Sequence, residues 1–184
     1  ALLSRLQELA VLGANQTNTT ADADAIDFEA EAIADEFHRL MTTSTYKGKD
    51  VFVTTAGSEY VSLGGRDAEM TFGIGDITYT ELYDVAATTT STAVTASKAG
   101  RVYKTTNATD DFSAIGGPSS ATANGTFIAT KAATSLSNIE EVGNHLIHAP
   151  SEGANSTTNT LTEDIEAVQA KINTARVQAG SQYA

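Results

Sequence analysis

Three histidines and a few acidic clusters are the side chains of this chain best suited to chemistry. His145 and His148 stand three residues apart, and on a helix that spacing would put both imidazoles on one face, where such a pair can bind a metal only weakly. No third ligand stands at a matching offset, and Glu140 and Glu141 beside them read as a solvated face. "DADAID" (residues 22–27) has the spaced carboxylates of a calcium loop but lacks its glycine at the sixth position and its glutamate at the twelfth. Acids that open a helix, next to the positive end of its dipole, are the better account. Gly73 and Gly75 do not extend to a dinucleotide fingerprint or a phosphate loop. No serine or threonine can be matched with a histidine and an acid as a nucleophilic triad. Asp110 and Asp111 fall in a polar stretch and read as solvated. Five Asn-x-Ser/Thr triplets begin at Asn15, Asn18, Asn107, Asn124 and Asn155, which a threonine-rich chain produces by chance. We therefore expect no catalytic residue, no metal site and no bound cofactor, and the chain does not read as an enzyme.

Composition narrows the partners. There is no cysteine, which excludes disulfides and thiolate metal centres. The formal charge of −12 argues against nucleic acid and anionic membrane surfaces, both of which repel an acidic protein. No apolar run approaches the roughly 18 residues of a membrane span, and no signal peptide is visible. The chain opens without methionine, already inside an amphipathic pattern, so we expect a piece of a longer protein.

The elements that would position these groups are helices at both ends. Leu2, Leu6, Leu9 and Gly13 recur at steps of four, three and four. Ile26, Ala30, Ile33, Phe37 and Leu40 continue the pattern, and so do Leu161, Ile165, Val168, Ile172, Ala175 and Ala179 near the C-terminus. Steps averaging about 3.5 residues lay each set along one narrow stripe. Their flanks are polar, among them Glu8, Glu29, Glu31, Asp35 and Glu166. Thr20 or Asp22 marks the start of the second helix, and Thr162 that of the third. An ordinary three-helix core would account for the stripes, but their narrowness and their small residues favour a rod of long helices. Between the second and third helices the period changes. "DVFVTT", "EYVSLGG" and "EMTFGIG" read as strands, with a hairpin turn over residues 63–69. Residues 86–97 are mostly Thr, Ala and Ser, and residues 98–130 read as a small β-rich insert. Residues 135–149 carry Ile139, Val142 and Leu146 as one more short helical pattern, ended by Pro150. The expected fold is α+β: a helical rod over residues 1–85 and 131–184 with a β-hairpin, and a variable insert over 86–130.

The stretch "RLQELAVLGANQTNTTADADAIDFEAEAIADEFHRLMTTSTYKGKDVF" resembles bacterial flagellin at the join of its first two core helices. Gln7-Glu8-Leu9-Ala10-Val11, Ala14-Asn15, Thr17-Asn18, Arg39 and Tyr46-Lys47-Gly48-Lys49 carry the resemblance. "YVSLGGRDAEMTFGI" is similar to the hairpin that follows in that family, and "IEAVQAKINTARVQAGSQ" to its returning C-terminal helix. Leu12 and Gly13 stand where the family more usually has Gln and a small residue. The resemblance implies a structural protein of the flagellar filament, serving motility through self-assembly with other flagellin subunits outside the cell. It also implies that the outermost terminal helices are missing here, so the chain as given is expected to be monomeric. Arg5, Leu9 and Glu29 match positions that contact a neighbouring subunit or an innate-immune Toll-like receptor. The hook–filament junction protein shares the helices, but its turn tends to read Gly-Arg-Tyr-x-Phe, and "YKGKDVF" is closer to flagellin. From another class, a surface adhesin or binding module with a helical stalk would show similar seams.

Overall fold

The computed structural model describes residues 1–15, 17–43, 45–46, 49–50, 52–53, 60–61, 74–75, 77–79, 81–84, 92–120, 123–152 and 160–183. Helices α1 (Leu2–Gly13), α2 (Thr20–Thr43) and α3 (Leu161–Tyr183) arise from the three seams. Two of them start with the same reciprocal cap. Thr19 Oγ1 accepts from the amide of Asp22 (3.2 Å) while Asp22 accepts from the amide of Thr19 (3.1 Å). Thr160 and Glu163 repeat the device at the head of α3, at 3.4 and 2.8 Å. Each exchange satisfies two amides that the first helical turn leaves open. The capping residues are thus Thr19 and Thr160, one residue before the Thr20 and two before the Thr162 that the sequence suggested, and three before Asp22.

Helix α1 packs against both α2 and α3. Contact from two sides widens its buried stripe, so Leu3, Leu6, Leu9, Ala10 and Gly13 are buried while Leu2 is only partly so. On α2 the buried row runs Ile26, Ala30, Ala34 and Phe37, with Met41 packed beside it. Ile33 is partly buried and Leu40 is 37% exposed. A straight helix turns every 3.6 residues, so a row spaced at 3.5 drifts about 20° per heptad. After two heptads the drift has carried Leu40 off the core and brought Met41 towards it. Leu161, Ile165 and Val168 of α3 complete the cluster with Tyr79, Leu82, Tyr83 and Leu146, and Ile172 packs partly buried against it.

The strands are short. β1 (Thr45–Tyr46) pairs antiparallel with β2 (Lys49–Asp50), and β3 (Phe52–Val53) pairs parallel with β6 (Ile77–Thr78). β4 (Tyr60–Val61) and β5 (Ile74–Gly75) form an antiparallel pair around the expected hairpin, whose turn at residues 63–69 lies outside the described residues. β7 (Tyr83–Asp84) pairs with β12 (His145–Leu146). A four-stranded antiparallel sheet has the order β10-β9-β11-β8, from β8 (Thr92–Val94), β9 (Val102–Thr105), β10 (Thr126–Ile128) and β11 (Ile139–Glu141). A second core of Tyr103, Phe112, Ile115, Phe127, Ala129 and Ile139 covers it, with Phe112 and Phe127 stacked at 5.8 Å.

Residues 135–149 do not form the expected helix. Asn138 (φ +63°) and Gly143 (φ +108°) hold left-handed conformations on either side of β11 and break any helical run. The apolar residues that suggested one helical face belong to different cores: Ile139 to the second, Leu146 to the first. The sheet also takes its third strand from 139–141, beyond the expected insert of 86–130. The described chain is thus a mixed α+β structure.

Candidate functional site

The outer face of the α1–α2 pair carries two of the three expected contact residues. Arg5 Nε and Nη2 both donate to Glu29 Oε1, at 2.9 and 2.6 Å, and Nη1 donates to Glu8 Oε2 at 3.1 Å. These bonds, Glu29 first, hold the guanidinium pKa above its usual value. Arg5 and Glu29 therefore satisfy each other across the helix pair, each about half exposed. Leu9 does not reach this surface; it is 1% exposed, inside the core. What α1 offers instead is apolar, with Val11 66% and Leu12 50% exposed.

A second site was not legible as one. Asp24, Asp27 and Glu31 lie at offsets of three and four on α2, and all three are buried. Glu31 read in the sequence as a solvated flank. Each carboxylate accepts a backbone amide from the segment that crosses α2. Asp24 accepts from Ala132 (3.2 Å), Asp27 from Ser151 (3.0 Å), whose hydroxyl also donates to it, and Glu31 from Leu146 (3.4 Å). Burial raises the pKa of Asp27 while the Ser151 bonds oppose the rise. Gly100 (φ +83°) lets the chain pass directly over the helix, since a Cβ there would lie 2.7 Å from Glu31 Cβ.

Arg101 sits beneath these acids. Its Nη1 donates to Glu141 Oε1 at 3.0 Å and its Nη2 to the Leu146 carbonyl at 2.5 Å, while Nε lies 3.4 Å from Glu31 Oε1. Glu141 is therefore a partner of a buried cation and not part of a solvated face. Glu140 lies 3.7 Å from Lys104, and Lys98 pairs with Glu152. His145, 2% exposed, places Nδ1 3.7 Å from Glu31 and Nε2 3.9 Å from Glu141. A cleft of about 820 Å³ opens beside this junction, lined in part by Thr19, Asp24, Asp27, Ser97, Lys98 and Tyr103.

The other two histidines lie elsewhere. His38 is within 3.2 Å of the Tyr79 hydroxyl and of Asn144 Nδ2, and burial lowers its pKa. His148 Nε2 lies 3.9 Å from Asp164 Oδ2. Since 145–149 is not helical, His145 and His148 do not share a helix face. Among the described residues no three His, Cys, Asp or Glu side chains lie close enough together to hold a metal ion. No described helix is long and apolar enough to cross a membrane. The signal that pointed to the buried junction was present but ambiguous: acids at 24, 27 and 31 border the apolar row 26, 30 and 34 and so fall at its edge.

No family model matches the chain. Flagellin A of Vibrio anguillarum is 29% identical over 68 residues, 37% of this chain and 18% of that protein. Polar flagellin C of Vibrio parahaemolyticus is 29% identical over 77 residues, 41% of this chain and 20% of that protein. Flagellin A of Vibrio cholerae is 28% identical over 68 residues. The chain spans about a fifth of the length of these relatives. Among solved structures, FlgL of Xanthomonas campestris aligns with 98% of this chain and 82% of its own, at 17% identity and a TM-score of 0.39.

Proposed function

We propose that this flagellin-like chain is part of a structural subunit of the bacterial flagellar filament, exposed outside the cell, where it serves motility by packing against copies of itself. The observation that carries the reading is the similarity to several flagellins over 68 to 77 residues. The described structure supports it in two respects. First, α2 and α3 have 24 and 23 residues, about 36 and 35 Å at 1.5 Å per residue, lengths suited to a rod. Second, the buried charged groups serve to join α2 to the chain that crosses it, a structural use in place of a catalytic one.

Assembly contacts fall on the outer face of the α1–α2 pair, with Val11 and Leu12 of α1 and the Arg5–Glu29 pair that joins the two helices. The same face is the one we propose for a Toll-like receptor, with the Arg5–Glu29 pair opening to receive it. Binding of such a receptor that is unchanged by Arg5→Ala would remove this face from consideration. At a charge of −12, isolated copies repel one another at low ionic strength, and we expect the 184-residue chain to sediment as a monomer. Long polymers from the chain alone would show that its own surfaces suffice for assembly.

The test of the reading is immunogold labelling of whole cells with an antibody to the chain. Gold along the length of the filament is expected. Gold confined to the base of each filament favours the junction protein, and gold spread over the cell body favours an adhesin.

A further inference from the structure

We propose that Glu31, Arg101, Glu141 and His145 form a buried proton-gated clamp that holds β12 on α2 only while the His145 ring carries both of its protons. The inference rests on hydrogen-bond valence. His145 Nε2 lies 2.8 Å from the carbonyl oxygen of Val142. A carbonyl oxygen accepts and cannot donate, so Nε2 must carry a proton. A neutral ring then has its lone pair on Nδ1, and Nδ1 faces Glu31 Oε2 at 3.7 Å. That distance is an ion pair and not a hydrogen bond. A lone pair facing a carboxylate is repulsive, whereas an N–H⁺ there is attractive. The imidazolium is the one form of the ring that suits both neighbours.

The surrounding charges agree. From α2 the ring is faced by Glu31, with Asp35 one turn further on; from β11 by Glu141; from the chain ahead of β9 by Arg101, with Lys98 beyond it. Tyr83 of β7 donates its hydroxyl proton to the Ala34 carbonyl and stays neutral. Nearest the ring, Glu31 and Glu141 supply two negative charges against the one positive charge of Arg101, so a protonated His145 offsets the excess where a neutral one leaves it. Burial pulls the ring toward the neutral form, but Glu31, Glu141 and the Val142 carbonyl outweigh it and hold the pKa above the ordinary histidine value. When the second proton leaves, Leu146, whose amide and carbonyl meet Glu31 and Arg101, loses the neighbour that fixes it in place.

The test uses the wild-type chain. Long-range proton–nitrogen spectra are recorded across neutral pH, and the three rings are assigned with His38→Gln and His148→Gln, each of which removes one signal. We expect His38 and His148 to titrate below 6.5, where burial pushes them, and His145 to titrate above 6.5 with both nitrogens protonated near neutrality. Amide exchange of Ile147, which bonds to the Leu82 carbonyl, supplies the second readout. Its opening should grow tenfold per pH unit between about 6.5 and the folded-state pKa, and then level off. In a local opening of β12 that makes the exchange rate rise about a hundredfold per unit in this window, against the tenfold per unit of an opening in which His145 keeps its proton balance. A His145 ring that is neutral near pH 7, or an exchange rate that rises tenfold per unit throughout, would overturn the proposal.

Discussion

Replacing Gly13 by alanine sets two effects against each other. Alanine in place of glycine ordinarily stabilises a helix interior by about 0.8–1 kcal/mol, because glycine loses more backbone freedom on folding. Gly13 is the last residue of α1 and is buried against the 3-10 turn at Pro150–Glu152. A Cβ there would lie 2.6 Å from both the carbonyl carbon and the Cβ of Pro150, and 2.7 Å from its oxygen. None of these atoms is the end of a flexible side chain, so the helix and the turn must separate. Overpacking of this kind costs about 1–3 kcal/mol. Subtracting the helix gain leaves a net loss of about 1–2 kcal/mol at the upper part of that range. For a chain of this length each kcal/mol lowers Tm by about 2–4 °C, and thermal unfolding followed by far-ultraviolet circular dichroism resolves that. Leu12→Ala, at a half-exposed neighbour, is the control and should stay within about 0.5 kcal/mol. A Gly13→Ala variant as stable as the wild type, or more stable, would show that α1 does not seat on the Pro150 turn as described.

Ile165→Ala, which empties a fully buried position, should cost about 2–5 kcal/mol, whereas Leu40→Ala, at a residue the helical drift leaves exposed, should cost less than about 1 kcal/mol; urea denaturation of both variants checks this, and equal losses would restore the 3.5-residue seam. Burial, then the charges of Glu163 and Glu81, raise the pKa of Asp164 from 3.8 to about 7. A carboxyl whose folded-state pKa is raised favours the fold below its unfolded value and loses that contribution as pH climbs towards 7. Asp164→Asn should therefore raise Tm near pH 8 and leave it unchanged near pH 4, and a Tm profile parallel to that of the wild type would contradict the assignment.

The helices were legible because each buries one stripe, and apolar residues at steps of three and four over several turns fit little besides a helix face. Their caps were misplaced by one to three residues, because several hydroxyl and acidic residues near each start are equally good candidates by type. Residues 135–149 misled for a clear reason: Ile139 and Leu146 point into two different cores, and a spacing of seven cannot distinguish that from one helical face. The left-handed Asn138 and Gly143 were the available warning. Asp24, Asp27 and Glu31 were unreadable as buried groups because their partners are backbone amides more than a hundred residues away, and amides leave no mark in a sequence. Arg5 and Glu29 drew notice separately as candidate contact residues; their mutual salt bridge was not legible, since two residues 24 apart reveal one only once α1 and α2 are seen side by side.

The central claim is tested most directly by the protein composition of filaments sheared from the surface of the source cells and analysed by quantitative mass spectrometry. We expect peptides of this chain among the bulk subunits of the filament, in proportion to filament mass. Filaments free of the chain, with the chain found in the cell body alone, would contradict a structural role in the flagellar filament.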